Sequence, residues 1–332
     1  MAEIPFVPPL DDVRYGRVDQ LTPLIRRVIA ENPSKFSYRG TGTYIVGHGD
    51  VAVIDPGPDL DAHRDALTAA LQGETVRAIL VTHCHADHSP LAAWLRESTG
   101  APTVAFGPHG AVDETPDDDQ DDDDEDEDDD AGDGDGDGDS AEPDPKKGES
   151  TDVAFMPDLV ANDGDLAVDL GEGLVLRAVH TPGHTSNHSC FTLDAERALF
   201  SGDHVMGWST TVVSPPDGDM RAYIESLRKV AGRHDSTLWP THGNPVTDPE
   251  PFLAAYLAHR LEREAQVLAQ VRAGVDRIPA MVKVLYAGVH KKLHKAAGRS
   301  VLSHLVKLID DGMVTVDDPT APLTRRSTFH PA

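Results

Sequence analysis

The chain has 332 residues and a formal net charge of -28, a length that allows one large core plus a smaller appended unit. Two cysteines, Cys84 and Cys190, exclude a disulfide framework, and neither the opening MAEIPFVPPLDDVRYGR nor any later stretch has the pattern of a signal peptide or a membrane span. The reading is a cytoplasmic protein with no membrane partner. Of the 57 acidic residues, 21 lie between Asp113 and Asp144, and the remainder of the chain carries about -7, ordinary for a soluble domain.

In chain order, short β-branched runs at 43–46, 51–54, 76–81 and 103–106 predict strands, with helices between them near 60–71 and 90–97. Residues 111–150, with DDDQDDDDEDEDDD and a GDGDGDGD repeat, are expected to form a disordered acidic insert, because almost nothing there can be buried. The repeat lacks the spacing and closing Glu of an EF-hand. The alternation then resumes, with strands at 166–168, 174–179, 189–193, 198–200 and 237–239 and a helix near 220–231. Such a pattern describes a layered α/β domain. From 249 to about 273 one long helix is predicted, followed by helices at 278–288 and 296–310 and a strand at 313–316, an order that suggests a winged-helix-like module.

The chemistry starts at Thr82-His83-Cys84-His85-Ala86-Asp87-His88, directly after the strand at 76–81. A strand end holds such a loop rigidly, so its side chains can converge on one point, and imidazoles with a carboxylate suit zinc, iron or manganese. In an extended segment His83 and His85 leave on one side and Cys84 on the other, so Cys84 is expected to be buried. Three later turns present further candidates: His180-Thr-Pro-Gly-His184-Thr185, Ser201-Gly202-Asp203 and Pro240-Thr241-His242-Gly243, each at the end of a predicted strand.

The series THCHADH, TPGHT, SGDH and PTHG resembles that of the metallo-β-lactamase-fold hydrolases over about residues 32–246. The resemblance implies an αββα sandwich. It makes His83, His85 and His184 ligands of one metal, Asp87, His88 and His242 ligands of a second, and Asp203 a bridge between them, with Asp87 and Asp203 the catalytic carboxylates. Two divalent ions are implied, Zn2+ first with Mn2+ or Fe2+ as alternatives, activating a shared water as the nucleophile. Asp55 matches a family turn and is either a hydrogen-bond acceptor behind the ligands or a turn residue. His180, His188 and His204 do not match ligand positions.

Glu31-Asn32-Pro33-Ser34, the stretch Gly40 to Gly47 and the region from Ser201 to Val314 are most similar to the beta-lactamase-like protein 2 family, with glyoxalase II a more distant relative. Gly42 stands where that family usually has Asn. The implied boundaries are a catalytic domain over 1–248 interrupted at 111–150, a linking helix over 249–275, a winged-helix-like module over 276–320 and a tail over 321–332. The resemblance allows an endoribonuclease acting on single-stranded RNA. Arg277, Lys283, Lys291, Lys292, Lys295 and Arg299, with His290 and His294, form either a phosphate-tracking stretch or a solvated face. The alternatives are a glyoxalase II-like hydrolase of a small ester or thioester, and a nucleic-acid-binding module with a vestigial metal domain.

Overall fold

The computed structural model describes residues 3–110, 150–288, 290, 291 and 294–332. Nearly all of the acidic segment at 111–150, and Lys292 of the basic stretch, lie outside the described residues.

The first sheet has seven strands in chain order: β1 (Val18–Gln20), β2 (Ile25–Ile29), β3 (Gly42–His48), β4 (Asp50–Ile54), β5 (Thr75–Leu80), β6 (Thr103–Ala105) and β7 (Leu159–Val160). The first four run antiparallel to their neighbours, and β4 to β7 pair in parallel. Parallel pairing needs crossovers, and α1 (Asp61–Ala70) supplies the one from β4 to β5 and α2 (Leu91–Thr99) the one from β5 to β6. A second sheet holds β8 (Leu166–Asp169), β9 (Val175–His180), β10 (Ser189–Leu193), β11 (Ala198–Gly202) and β12 (Thr237–Pro240), with α3 (Met220–Ala231) crossing from β11 to its parallel neighbour β12.

The central strands are apolar on both faces because each sheet is covered on both sides. Tyr44, Val46, Ile54 and Leu80 of the first sheet meet Leu176, Phe191, Phe200 and Trp239 of the second. On the outer faces, Leu67, Leu91 and Leu95 of α1 and α2 pack on Ile45, Val53 and Ile79. Tyr223, Ile224 and Leu227 of α3 pack on Val179, Leu199 and Leu238, where they are joined by Phe252, Leu253 and Tyr256 of the long helix α4 (Pro249–Arg272). The result is an αββα sandwich.

Strands β1 and β2 were not legible by pattern, since β2 reads IRRVI. Its two arginines are nevertheless buried: Arg26 pairs with Glu74 at 2.8 Å and Arg27 donates to the Gly243 carbonyl at 2.8 Å. Beyond the sandwich, the C-terminal end of α4 packs through Val267 and Val271 on α5 (Ile278–Leu285) and α6 (His294–Asp310). Strand β13 (Val314–Val316) pairs antiparallel with β14 (Phe329–Pro331), so residues read from the sequence as a tail carry the second strand of the wing. Among the described residues no helix is long and apolar enough to cross a membrane.

Candidate metal centre

The side chains singled out by the sequence all project from one end of the sandwich, where loops leave the C-terminal ends of β4, β5, β9, β11 and β12. Two glycines make the convergence sterically possible. Gly202 has φ +51°, and a Cβ there would lie 2.6 Å from His188 Nε2; at Gly183 (φ +137°) it would lie 2.3 Å from the Tyr223 Cα. Cys84 turns away from the cluster into the core, 2.9 Å from the Asn187 side-chain amide.

His83, His85 and His184 form one group, with His83 Nε2 2.9 Å and His184 Nε2 3.2 Å from His85 Nδ1. Asp87, His88 and His242 form another, with His242 Nε2 3.3 Å and His88 Nε2 3.5 Å from the Asp87 carboxylate. Asp203 lies between them: Oδ2 is 3.8 Å from His184 Nε2 and 3.6 Å from His88 Nε2, while Oδ1 is 3.4 Å from His242 Nε2. Within each group the candidate donor atoms lie within 4.8 Å of one another. His88 Nε2 and Asp203 Oδ1 are buried without a hydrogen-bond partner. Buried polar atoms facing one another without hydrogen bonds are costly unless something binds between them. Imidazole nitrogens and carboxylate oxygens are the donor set of a divalent metal, so these residues fit one.

The electrostatics differ across the cluster. Burial, together with His88, His85 and His184, holds His83 well below an ordinary imidazole pKa, and burial with His184 lowers His85 to about 3. Burial acts in the same direction on His88 and His242, but for His88 the carboxylates of Asp87, Asp203 and Asp55 outweigh it, and for His242 those of Asp203 and Asp87 do. His88 is thus raised well above the usual value and His242 to about 10. Asp87 sits at about 2, since His88 and His242 outweigh its burial.

A second layer fixes ring orientation. Asp55 accepts from the Thr82 amide and hydroxyl (both 2.8 Å), from His88 Nδ1 (2.9 Å) and from the Thr241 hydroxyl (3.0 Å), so one carboxylate ties three of the converging loops together. That resolves the two readings of Asp55 in favour of an acceptor behind the cluster, which leaves His88 Nε2 facing inward. His184 Nδ1 donates to the Val212 carbonyl at 2.7 Å and His242 Nδ1 to the Gly40 carbonyl at 3.2 Å. Asn32 holds Thr41 through two hydrogen bonds of 2.9 Å, and the Thr41 hydroxyl donates to Asp87 at 2.9 Å. No sequence pattern marks Thr41 and Thr241 as partners of Asp87 and Asp55. The Asn-Pro and Gly-Thr motifs were visible, but not what they touch.

The remaining histidines are placed elsewhere. His188 accepts from the Asp203 amide at 3.2 Å and has the Thr181 hydroxyl 2.9 Å from its other nitrogen; His204 is buried against Tyr223; His180 stacks on Phe106 with centroids 3.7 Å apart. The cavity over the cluster is lined on its outer side by Lys35, Phe36, Met206, Trp208 and Val212, with Tyr38 stacked on Trp208 at 4.6 Å. A wider cleft of about 340 Å³ between Arg197, His234 and Asp248 shares no residue with it.

Residues 39–242 match the family model of the metallo-beta-lactamase superfamily, and 278–320 match that of the beta-lactamase associated winged helix domain. The chain is 30% identical over 311 residues to a beta-lactamase-like protein 2 homolog from Drosophila melanogaster, covering 90% of this chain and 92% of that one. It is 31% identical over 324 residues to an atrochrysone carboxyl ACP thioesterase from Aspergillus chevalieri, covering 94% and 87%. In fold it is similar to a beta-lactamase domain protein from Burkholderia ambifaria, with a TM-score of 0.70 at 19% identity over 98% of this chain and 96% of that one.

Proposed function

The chain belongs to the metallo-beta-lactamase superfamily, and from that premise we propose that it is a two-metal hydrolase of acyl thioesters. The observation that carries the reading is the meeting of His83, His85, His184, Asp87, His88, His242 and Asp203 in one cluster, five of them lining the cavity, with buried donor atoms that lack hydrogen bonds. The first three would hold one ion, Asp87, His88 and His242 the second, and Asp203 both; zinc suits this donor set, with manganese or iron as alternatives. When bound, such ions supply Lewis acidity and lower the pKa of water toward neutrality.

The protein's own part is to orient and to exclude water. Carbonyls of Val212 and Gly40, and the Asp55 carboxylate, hold three imidazoles in the tautomer that points Nε2 inward. Phe36, Met206, Trp208 and Val212 offer an apolar wall on which an acyl group can rest beside the cluster. A thiol leaving group has a pKa of roughly 8.5 and departs without a strong general acid. Such a substrate suits this cavity, in which, among the described residues, the carboxylates and imidazoles belong to the cluster and Lys35 is the other ionisable side chain. The thioesterase name of one relative supports the same substrate class.

Single-stranded RNA is the second substrate to assay, because Arg277, Lys283, Lys295 and Arg299 follow one another in the C-terminal module. The experiment is metal analysis of the purified chain with parallel assays on an apolar acyl thioester, a hydroxyacyl-glutathione thioester and single-stranded RNA. Metal-dependent release of thiol from the apolar thioester is the expected result. Turnover confined to the hydroxyacyl-glutathione would establish the glyoxalase II-like activity instead, and RNA cleavage without thiol release would overturn the thioester reading. RNA binding with no turnover of any substrate would mark the domain as a scaffold. A cytoplasmic setting, in which Cys84 and Cys190 stay reduced, completes the proposal; both are free and buried.

A further inference from the structure

Arg260 is one of two arginines buried on α4, and packing alone does not explain its place. It lies on the buried stripe of the helix with Phe252, Tyr256 and Val267, at 3% exposure, and among the described residues it has no carboxylate partner. A buried guanidinium without a counter-ion is expensive, so an interaction that holds it there is expected. The charge stacks over the rings of Tyr223 (5.1 Å) and Tyr256 (5.7 Å) and donates through Nη2 to the Thr211 carbonyl.

Thr211 is held at every polar atom. Its amide donates to the Tyr256 hydroxyl at 2.6 Å, its carbonyl accepts from Arg260, and its own hydroxyl is 2.8 Å from the Asp203 carbonyl oxygen and 3.0 Å from that of His204. The next carbonyl, Val212, receives the hydrogen of His184 Nδ1. A carbonyl can only accept, so this bond dictates the His184 tautomer and leaves Nε2 free to face Asp203. Two side chains one turn apart on α4 therefore grip Thr211, whose hydroxyl holds the main-chain carbonyl of Asp203 and whose neighbour Val212 accepts from His184.

We propose that Arg260 is a positioning residue for the metal centre, acting with Tyr256 through Thr211 to fix His184 and Asp203. The helix that joins the sandwich to the winged-helix module is thereby part of the centre's support. The proposal rests on His184 and Asp203 being metal ligands. It predicts that loss of the guanidinium loosens the ion shared by His83, His85 and His184 more than it disturbs the fold.

The test is chelator competition for Zn2+ and the visible spectrum of the Co2+-loaded chain, for wild type, Arg260→Met, Arg260→Lys and Tyr256→Phe, with far-ultraviolet circular dichroism and thermal unfolding alongside. Arg260→Met is expected to bind the ion shared by His83, His85 and His184 about 10- to 100-fold less tightly and to change the Co2+ bands, with native circular dichroism and partial recovery in Arg260→Lys. Tyr256→Phe should move both readouts the same way by less. A folded Arg260→Met with wild-type affinity and spectrum would overturn the proposal. If Arg260→Met does not fold, Tyr256→Phe decides: weakened binding upholds the clamp and unchanged binding removes it. A wild-type chain that binds no metal would refute the centre itself, whereas a two-metal wild type with unaffected variants would refute only the clamp.

Discussion

His83, His85 and His184 bring three imidazoles and no carboxylate to their side of the cavity, whereas Asp87, His88 and His242 bring a carboxylate flanked by two imidazoles. On the second side Asp87 and Asp203 raise His88 and His242, so opposite charges compensate one another within the protein. On the first, burial and neighbouring imidazoles depress His83 and His85, and the opposing pull of Asp203 on both and of Asp87 on His85 does not offset them. The difference teaches that Asp203, within 3.8 Å of His184 on one side and of His88 and His242 on the other, stands between the halves, and that the first half is oriented by the Val212 carbonyl behind His184 and the Thr82 hydroxyl behind His83.

The comparison breaks most directly at that shared residue. Asp203→Ala is expected to abolish metal-dependent turnover, a loss of at least about 10³-fold or roughly 4 kcal/mol of barrier, and to reduce bound metal in both halves; full turnover by the folded, metal-loaded variant would contradict it. Next come the halves one at a time. His85→Ala and His242→Ala should each lower the metal content from two toward one per chain, measured by inductively coupled plasma spectrometry, and each should abolish most activity. Retention of two tightly bound ions in either variant would show that the halves are wrongly drawn.

Asp55→Asn sharpens the comparison, because Asp55 touches His88 and the loops of Thr82 and Thr241 but no imidazole of the first half. A metal affinity about 10- to 100-fold weaker on the second side, with a smaller loss on the first passed through the Thr82 hydroxyl to His83, is expected from titration of the apo-protein; equal loss on both sides would argue for general loosening.

The smallest effect concerns His63, outside the cluster. It is buried beside Thr43, 2.9 Å from that hydroxyl, and burial lowers its pKa to about 4. A folded pKa below the unfolded value of 6.5 means that the unfolded chain binds the proton first, so stability is lost as pH falls from 6.5 toward 4. By pH 5 the loss is about 2 kcal/mol. Denaturant unfolding of the metal-depleted wild type and His63→Gln at pH 7 and pH 5 should show the larger decrease in the wild type; parallel decreases would remove His63 from the account.

Much of the layered fold was legible because alternating short apolar runs and helical stretches leave a periodic trace, and the positions of α3 and α4 follow from it. Strand β2 was not, because Arg26 and Arg27 look like surface residues until Glu74 and the Gly243 carbonyl are brought to them. Strand β14 is three residues long and is defined only by its partner β13. At the centre, the seven side chains named from their motifs lie in one cluster of close donor atoms, since each motif couples a strand end to a turn that aims the side chain. Arg260 had no such signal. In a helix of mixed pattern it reads as one more exposed arginine.

The sequence by itself determined the donor set and its order along the chain, because ligand chemistry is a property of residue type and of spacing within a loop. Tertiary structure alone decided which histidines face the cavity. His184 and His188 are four residues apart, yet one points to Asp203 Oδ2 and the other lies beneath the Asp203 amide. It also decided that Asp55 joins residues 27 and 186 positions away and that Thr211 lies under Arg260. Those relations are set by how the two sheets and α4 pack, and no local pattern encodes a hydrogen bond between segments that only the packed core brings together.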